Sequence, residues 1–341
     1  MLGILLLCLG IGSLLAMFVT GMLSSRFGTR PVILLSGFGL AAMLPWLAIA
    51  STPLTLGVTL LLFGATLGSL DVAMNIHAVE VERAGDRPLL SGFHALYSLG
   101  GFAGAAFITL LLSFGLGPLA CVVVGSGLMI LAMFATWPGL LRTRTAEGDP
   151  HFALPRGVVL VIAALAAITF LAEGALLDWS ALLITGNGLV DVEQGGIGYM
   201  LFSIAMTVMR LTGDSLTARI GDRAIMVWGT LIAIAGFILL LIAPVVTVAM
   251  FAFVLIGVGA ANVVPVLFRR AGSQKVMPPA LAIAAITTTG YAGILLGPAA
   301  IGFVADHVGL RLAFWMIPVL LLSVPLCAAV VAPRQEPIRR N

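Results

Sequence analysis

Charged side chains are scarce in this sequence of 341 residues: Asp, Glu, Lys and Arg together account for 9%, whereas a soluble globular protein carries roughly 25%. Hydrophobic residues account for 61%, and the mean hydropathy is +1.18. A water-soluble core cannot absorb this much apolar surface, so the composition excludes a soluble protein and indicates that a lipid bilayer surrounds the chain. The net charge of +3 does not indicate a nucleic-acid partner, because the basic residues follow a topological pattern described below.

Cysteine and catalytic motifs are also scarce. The three cysteines, Cys8, Cys121 and Cys327, lie inside apolar runs and fit neither a disulfide framework nor metal-ligand spacing. His77 and His94 are not at metal-ligand spacing either. The sequence has no H-E-x-x-H, G-x-S-x-G or phosphate-binding G-x-x-x-x-G-K-[ST] string. We therefore predict no metal, no cofactor and no enzyme activity.

Long apolar runs, by contrast, fill the chain. A helix needs ~20 apolar residues to cross the hydrocarbon core, and its backbone polar groups must be bonded within the chain. Eleven stretches meet this requirement and predict an all-α integral membrane protein. They are 2–22, 31–50, 55–79, 91–115, 117–138, 157–184, 194–216, 224–243, 245–267, 279–305 and 311–331.

The basic residues predict how these helices are oriented. Of the 17 Lys and Arg residues, fifteen fall on one side of the predicted membrane, which the positive-inside rule makes the cytoplasmic side. Arg210 lies within a helix, and Arg311 lies on the opposite side. This pattern predicts a multi-pass protein of the inner membrane, with Met1 outside and the C-terminus in the cytoplasm.

The chain repeats itself. Residues 26–30, Arg-Phe-Gly-Thr-Arg, return as residues 219–223, Arg-Ile-Gly-Asp-Arg, at an offset of 193, the difference between 219 and 26. Parallel repeats are typical of transporters, whose substrate site lies between the repeats. Three glycine pairs keep the same offset: Gly64 and Gly257, Gly100 and Gly293, Gly104 and Gly297.

The repeats predict two helical bundles of unequal size. The stretch at 157–184 opens the second repeat, and its counterpart would lie before Met1. We therefore expect that the sequence starts late or that the first helix has been lost. The polar segment between the bundles contains two prolines and is predicted to be a cytoplasmic linker. The predicted segments are a five-helix bundle at 1–138, the linker at 139–156, a six-helix bundle at 157–332 and a cytoplasmic tail at 333–341.

A known family shares these features. Residues 21–30, Gly-Met-Leu-Ser-Ser-Arg-Phe-Gly-Thr-Arg, resemble the loop signature G-x-x-x-D-R-x-G-R-[RK] of the major facilitator superfamily. Ser25 replaces the aspartate of that signature, so the carboxylate of its charge relay is missing at this position. Residues 71–75, Asp-Val-Ala-Met-Asn, are similar to a stretch of fucose-permease-like members, and residues 173–180 resemble an uncharacterised inner-membrane branch related to them.

The resemblance implies two pseudo-symmetric bundles and secondary transport by alternating access. It also implies that the signature loops have gating or structural roles. Those loops contain Arg26, Gly28, Arg30, Arg219 and Arg223.

Ionisable residues inside a membrane are rare and usually face a cavity or a partner. Asp71 and Glu173 are therefore candidates for proton coupling, because a carboxylate can bind a proton from one membrane face and release it to the other. Asn75 shares a helix face with Asp71, and a polar contact between helices is the alternative reading of that pair. Arg210 and Asp214 are four residues apart, which fits a salt bridge, a gate latch or an anchor for an anionic substrate.

The remaining polar residues in the spans are candidates for the substrate pathway. His94 and Tyr97 share a face near the start of their helix, where they form either a substrate-contacting row or a packed cluster. The pathway candidates are Asn75, His94, Tyr97, Asn262 and Tyr291.

We therefore predict a monomeric, proton-coupled secondary transporter of a small polar solute, with the lipid bilayer, the solute and protons as its partners. A non-transporting membrane sensor or scaffold, or a truncated transporter, is the alternative. A drug efflux antiporter is a weaker alternative, because few aromatic residues line the predicted pathway.

Overall fold

The computed structural model describes residues 2–142 and 154–333, and helices occupy most of them. Part of the predicted linker, 143–153, and most of the predicted tail, 334–341, lie outside the described residues. The helices are α1 (Leu2–Phe27), α2 (Thr29–Ile49), α3 (Pro53–Gly85), α4 (Leu90–Ser113), α5 (Pro118–Thr136), α6 (Val158–Gly186), α7 (Ile197–Ile220), α8 (Asp222–Ala224), α9 (Thr230–Ile242), α10 (Val246–Ala260), α11 (Val263–Ser273), α12 (Pro279–Val308), α13 (Leu310–Ala313), α14 (Met316–Leu321) and α15 (Ser323–Val331).

Helices occupy all eleven predicted stretches, which confirms the all-α membrane fold. Ten spans within the described residues are long and apolar enough to cross a membrane. Helix α7 fills the remaining predicted stretch, 194–216. It is 24 residues long, but it carries Arg210, Asp214 and Arg219 and is therefore more polar than the ten spans. The stretch predicted at 245–267 is not one continuous helix, because a two-residue turn separates α10 from α11.

Three turns between helices share one backbone conformation. Gly28, Gly221 and Gly309 have φ angles of 80°, 81° and 84°, a region that favours glycine. Each glycine N–H donates to the carbonyl four residues before it, at 2.8 to 3.0 Å, and the next helix starts directly after the glycine. The conformation of the turn thus gives a physical reason for glycine at this position of the signature loop.

The first compact unit is built around α3, which packs against α1 and α2, while α2 packs against α5. Helices α2 and α5 are joined by ring contacts, with the Phe38 and Phe134 centroids 5.1 Å apart, and by a hydrogen bond from Ser126 Oγ to the Ala41 carbonyl. The unit consists of Met1–Gly85, Leu96–Pro155 and Met277–Thr288.

The second compact unit has the larger buried core. Phe237, Phe253 and Phe314 are 1% exposed or less, on α9, on α10 and directly after α13. Helix α10 packs against α7 and α9, and α6 packs against α7, α11, α14 and α15. The unit consists of Asp86–Ala95, Arg156–Val276 and Thr289–Asn341.

The repeat extends from sequence to packing. In the first unit, Gly64 on α3 faces the backbone carbonyl of Leu9 on α1. In the second unit, Gly257 on α10 faces the carbonyl of Phe202 on α7. Both members of this contact are shifted by the same 193 residues, the difference between 202 and 9. The absence of a side chain lets the two backbones approach closely in each unit.

A methyl group at these glycines is expected to destabilise the protein. In Gly257→Ala the new Cβ would overlap the Phe202 carbonyl, and relieving that overlap should cost about 1–3 kcal/mol. The melting temperature of the purified protein in detergent measures the effect. Gly100→Ala is the matched control, because a Cβ there meets no described atom within 4 Å. Equal melting temperatures for the two variants would contradict the close packing.

The compact units differ from the predicted bundles in two segments. Residues 86–95, which include the start of α4, group with the second unit, and residues 277–288, which include the start of α12, group with the first. Residues 86–95 are bonded to the second unit by groups distant in the chain, such as the Ser91 and Gly92 amides that donate to Asp214. The division into bundles at 1–138 and 157–332 stays a prediction.

Candidate functional site

Helices α6 and α7 of the second unit bring an acid and a base together inside their spans. The Glu173 Oε1 and Arg210 Nη2 atoms lie 3.7 Å apart, and the two side chains are 21% and 8% exposed. Arg210 Nε also donates to the Ala261 carbonyl at 3.1 Å, at the turn that separates α10 from α11. Glu173 Oε1 accepts no hydrogen bond from the described residues, so Coulomb attraction dominates its contact with Arg210.

A narrow cavity borders this pair in the second unit. Its walls are mostly apolar side chains of α6, α7, α9 and α10, such as Phe202 and Phe237. Three polar residues line it, Thr169, Glu173 and Thr230. The Thr230 hydroxyl, like Glu173 Oε1, has no hydrogen-bond partner among the residues that the structure describes. The acid therefore sits in surroundings that stabilise its charge mainly through Arg210.

Of the three readings of Arg210 and Asp214, the salt bridge is the one that the described contacts do not support. Asp214 Oδ1 instead accepts the Ser91 N–H at 2.9 Å, and Oδ2 accepts the Gly92 N–H at 2.7 Å. These amides belong to the first turn of α4, where a helix has unpaired donors and favours a negative charge. Asp214 thus holds residues 86–95 against α7.

A second charged cluster lies at the end of α11. Asp222 accepts a hydrogen bond from Arg269 Nη1 at 2.7 Å, and Arg270 Nε lies 2.7 Å from its other oxygen. Arg269 Nη2 also lies 3.7 Å from Asp214 Oδ1. The cluster therefore links the turn after α7 to α11 and to the α4 cap. In the sequence, Arg269 and Arg270 counted only among the fifteen basic residues of the cytoplasmic side, because their acidic partners are distant in the chain.

Asn262, a predicted pathway residue, forms part of the turn between α10 and α11. It is 3% exposed, and its side-chain oxygen packs so closely on Gly213 that a Cβ there would overlap it. Neither this oxygen nor the nearby Ser91 hydroxyl has a hydrogen-bond partner among the described residues. The fold brings Asn262 to the same turn as the Arg210 contact.

The first unit holds the other predicted acid. Asn75 donates its amide to the backbone carbonyl of Asp71 at 2.9 Å rather than to the carboxylate. Within the described part of the chain, the Asp71 carboxylate makes no hydrogen bond or ion pair, and it lies within electrostatic range of the Tyr97 hydroxyl. Tyr97 itself is 62% exposed. Asp71 and Tyr97 thus lie close enough to interact electrostatically, and the Asn75 amide is hydrogen-bonded to the backbone of its own helix.

Two further pathway candidates lie in the second unit. His94 donates through Nδ1 to the Leu90 carbonyl at 2.9 Å, and its ring centroid lies 5.7 Å from that of Phe268. The ring is also within electrostatic range of Arg210. Tyr291 lies half-buried on α12. His94 thus lies near Arg210.

The arginines of the signature loops make few contacts among the described residues. Arg30 Nη2 donates to the Trp137 carbonyl at 3.3 Å, and Arg26 lies over the Phe27 ring at 5.2 Å. Arg219 and Arg223 are exposed and contact no charged partner within the described ranges. Ser25, at the aspartate position, donates to its own helix, at the Met22 carbonyl.

The first unit also contains a network of polar side chains that was not predicted from the sequence. The Leu141 N–H donates to His77 Nε2 at 3.4 Å, which places the proton of a neutral ring on Nδ1. That atom contacts Thr29 Oγ1 at 2.8 Å, and the Thr29 hydroxyl donates to Glu80 at 2.9 Å. The three-residue spacing of His77 and Glu80 was a signal that they share a helix face.

Neutralising Asp214 is expected to loosen the start of α4. Asp214→Asn keeps one acceptor but loses the second backbone hydrogen bond and the attraction to Arg269. The free energy of unfolding should fall by about 1 kcal/mol, the usual contribution of a helix cap. Amide hydrogen exchange of residues 86–95 should become faster. Asp306→Asn is the control, because this exposed acid contacts no described partner; equal exchange in both variants would contradict the capping role.

Known proteins are similar to this chain over most of its length. The family profile of the Major Facilitator Superfamily matches residues 1–274 and, in a second match, 190–341. An uncharacterised MFS-type transporter of Yersinia pestis is 47% identical over 97% of this chain and 86% of its own length.

Two solved structures show the same fold. The transporter FucP, solved in an outward conformation, has a TM-score of 0.81 at 16% identity, over 97% of this chain and 90% of FucP. The proton:xylose symporter XylE has a TM-score of 0.76 at 12% identity, over 97% of this chain and 86% of XylE. The chain therefore belongs to the major facilitator superfamily and is a multi-pass membrane transporter rather than an enzyme, with the lipid bilayer and a small-molecule substrate as its partners.

Proposed function

We propose that this transporter couples the movement of a small polar solute across the inner membrane to the movement of protons, by alternating access. The observation that carries the proposal is the Glu173–Arg210 pair, a carboxylate and a guanidinium held 3.7 Å apart within spanning helices. An ionisable pair in that position is costly to bury and needs a functional reason. The likeness in fold to a proton:xylose symporter supports the proposal.

Protonation of Glu173 changes the forces on Arg210. When Glu173 is ionised, it balances the guanidinium charge in a poorly hydrated site. When Glu173 is protonated, Arg210 keeps its hydrogen bond to the Ala261 carbonyl but loses its counter-charge. A polar group of the solute, or water entering an open cavity, then replaces the carboxylate. Because Ala261 lies at the break between α10 and α11, this exchange acts directly on an interrupted helix.

Asp71 is the second proton site in the proposal. Its carboxylate contacts no described cation, and in the proposal it takes up a proton from one membrane face and releases it to the other. Tyr97, Asn75, His94, Asn262 and Tyr291 supply hydroxyl, amide and imidazole groups that suit a small hydrophilic solute.

The charged clusters at the ends of α7 and α11 form the gate. Asp214 holds the first turn of α4, and Asp222 holds Arg269 and Arg270. Opening the pathway on that side requires these contacts to break, and closing it restores them. The signature loop with Arg219 and Arg223 follows the end of α7, and the loop with Arg26 and Arg30 joins α1 to α2 in the first unit.

The orientation follows from the basic residues. We place the C-terminus and residues 145–150 in the cytoplasm, residues 186–192 outside, and the protein in the inner membrane as a monomer. Cysteine labelling of intact cells measures the orientation. Reaction of a cysteine at 186–192 only after the cytoplasm is opened would reverse it.

Flux measurements in proteoliposomes test the proposal. A pH-sensitive dye trapped inside reports proton movement while sugars, polyols, amino acids and organic acids are added one at a time. The proposal predicts that one class drives proton flux and accumulates against its gradient when a pH gradient is imposed. Solute flux that is independent of pH would reject proton coupling. Solute binding without any flux would instead support a sensor.

A further inference from the structure

A groove opens on the arginine-poor side of the second unit, away from the residues used above. It lies between the end of α6 and the turn that joins α12 to α13, and its volume is about 250 Å³. Both spanning helices end there, so the groove lies at the level of the lipid headgroups. Its lining includes one cationic side chain, Arg311, and one amide side chain, Asn187.

The Arg311 guanidinium is held in place by one hydrogen bond, and its other donors remain available. Its Nε donates to the Leu241 carbonyl at 2.7 Å, one of the unpaired carbonyls at the end of α9. Its two terminal nitrogens make no hydrogen bond or ion pair within residues 2–142 and 154–333. A guanidinium held in this way presents donors in a fixed plane, the geometry that binds phosphate oxygens in pairs.

The groove walls are aliphatic and face outward. Leu182, Val308 and Leu312 are 56%, 48% and 61% exposed. In a membrane these side chains contact lipid acyl chains, because they lie just inside the ends of spanning helices. The groove therefore combines an apolar wall with a cation at its rim.

We propose that this groove binds a phospholipid of the surrounding leaflet. Arg311 holds the phosphodiester, Asn187 contacts the headgroup, and an acyl chain lies along Leu182 and Leu312. A soluble phosphate would satisfy the arginine but would leave the exposed leucines without a role, so the aliphatic walls favour the lipid. Occupancy would fix the ends of α6 and α12 to the membrane surface.

The other signature turns show why this one differs. Gly28 and Gly221 have the same backbone conformation as Gly309, and each is followed two residues later by an arginine. Arg30 donates to the Trp137 carbonyl and Arg223 is exposed. The Gly309 turn is accompanied by the aliphatic groove, which Arg311 lines.

Native mass spectrometry tests the proposal. Wild-type protein in detergent is loaded with dioleoylphosphatidylglycerol, and the fraction that keeps a bound lipid is measured. We expect Arg311→Gln to lower this fraction by about fivefold, the contribution of one arginine at an anionic membrane surface. Leu182→Trp fills the groove without removing the charge and should have a similar effect. Arg223→Gln, in a turn of the same conformation outside this groove, is the control and should keep the wild-type fraction.

Competition identifies the source of the phosphate. Millimolar inorganic phosphate should leave the bound lipid in place, because it lacks acyl chains to contact the groove wall. Displacement by inorganic phosphate, or wild-type retention of lipid in Leu182→Trp, would overturn the proposal. Circular dichroism checks that the variants are folded; if Arg311→Gln is not folded, Leu182→Trp decides.

Discussion

Replacing Glu173 with glutamine is expected to abolish solute uptake driven by a pH gradient while solute exchange at equal pH continues. Glutamine has the shape of a protonated glutamate, so the variant is held in the proton-loaded state and has no proton to release. Uptake of the identified solute into proteoliposomes should fall to the level of empty liposomes. Exchange of labelled for unlabelled solute should stay measurable, because it needs only the loaded forms.

Two companion variants separate coupling from folding. Asp178→Asn removes an exposed acid five residues later on the same helix and should transport normally. Glu173→Gln leaves Arg210 as a buried charge without its counter-charge, a change that costs roughly 3–5 kcal/mol in comparable sites. Combining it with Arg210→Gln should restore stability but not pH-driven uptake. Recovery of pH-driven uptake in the double variant would show that Glu173 and Arg210 have a structural role rather than a coupling role.

Asp71→Asn is expected to have an effect of similar size through a different route. The change keeps the shape of the side chain and removes its titration, so pH-driven uptake should be lost while expression and solute exchange continue. Stability should change little, because no described residue donates a hydrogen bond to the carboxylate. Uptake, exchange and membrane yield are measured as for Glu173→Gln.

The control for Asp71 is Asp86→Asn, which removes an exposed acid just beyond the end of α3. Full pH-driven transport in Asp71→Asn would show that Asp71 packs rather than couples. Loss of folded Asp71→Asn protein would point to the same conclusion, since a missing structural contact would then explain the defect.

The two acids also illustrate how far sequence reasoning reaches. Asp71 and Glu173 stood out because ionisable side chains are conspicuous in apolar helices. The sequence did not show that Arg210 is the partner of Glu173, because the two residues are distant in the chain. Asp214, four residues after Arg210, was the simpler choice of partner for that arginine. Asp214 is drawn away by the unpaired amides of Ser91 and Gly92, which come close to it only in the folded chain.

The break between α10 and α11 has a similar origin. Hydropathy is continuous across residues 245–267, so the sequence predicted a single spanning stretch, interrupted at Pro265. Pro265 falls in the first turn of α11, where a proline costs no hydrogen bond, and the turn at Ala261 and Asn262 precedes it. The Ala261 carbonyl freed by this turn is bonded by Arg210 instead.

By itself the sequence determined the class of the protein, the places of its spanning helices and its internal repeat. Those features depend on local composition, since lipid requires long apolar helices and close helix contacts require glycine. The tertiary structure decided which charges meet, where α10 ends, which unit receives the start of α4, and that Arg311 lies beside an aliphatic groove. Each of these depends on side chains and backbone groups that are far apart in the chain, and no local pattern encodes their distance.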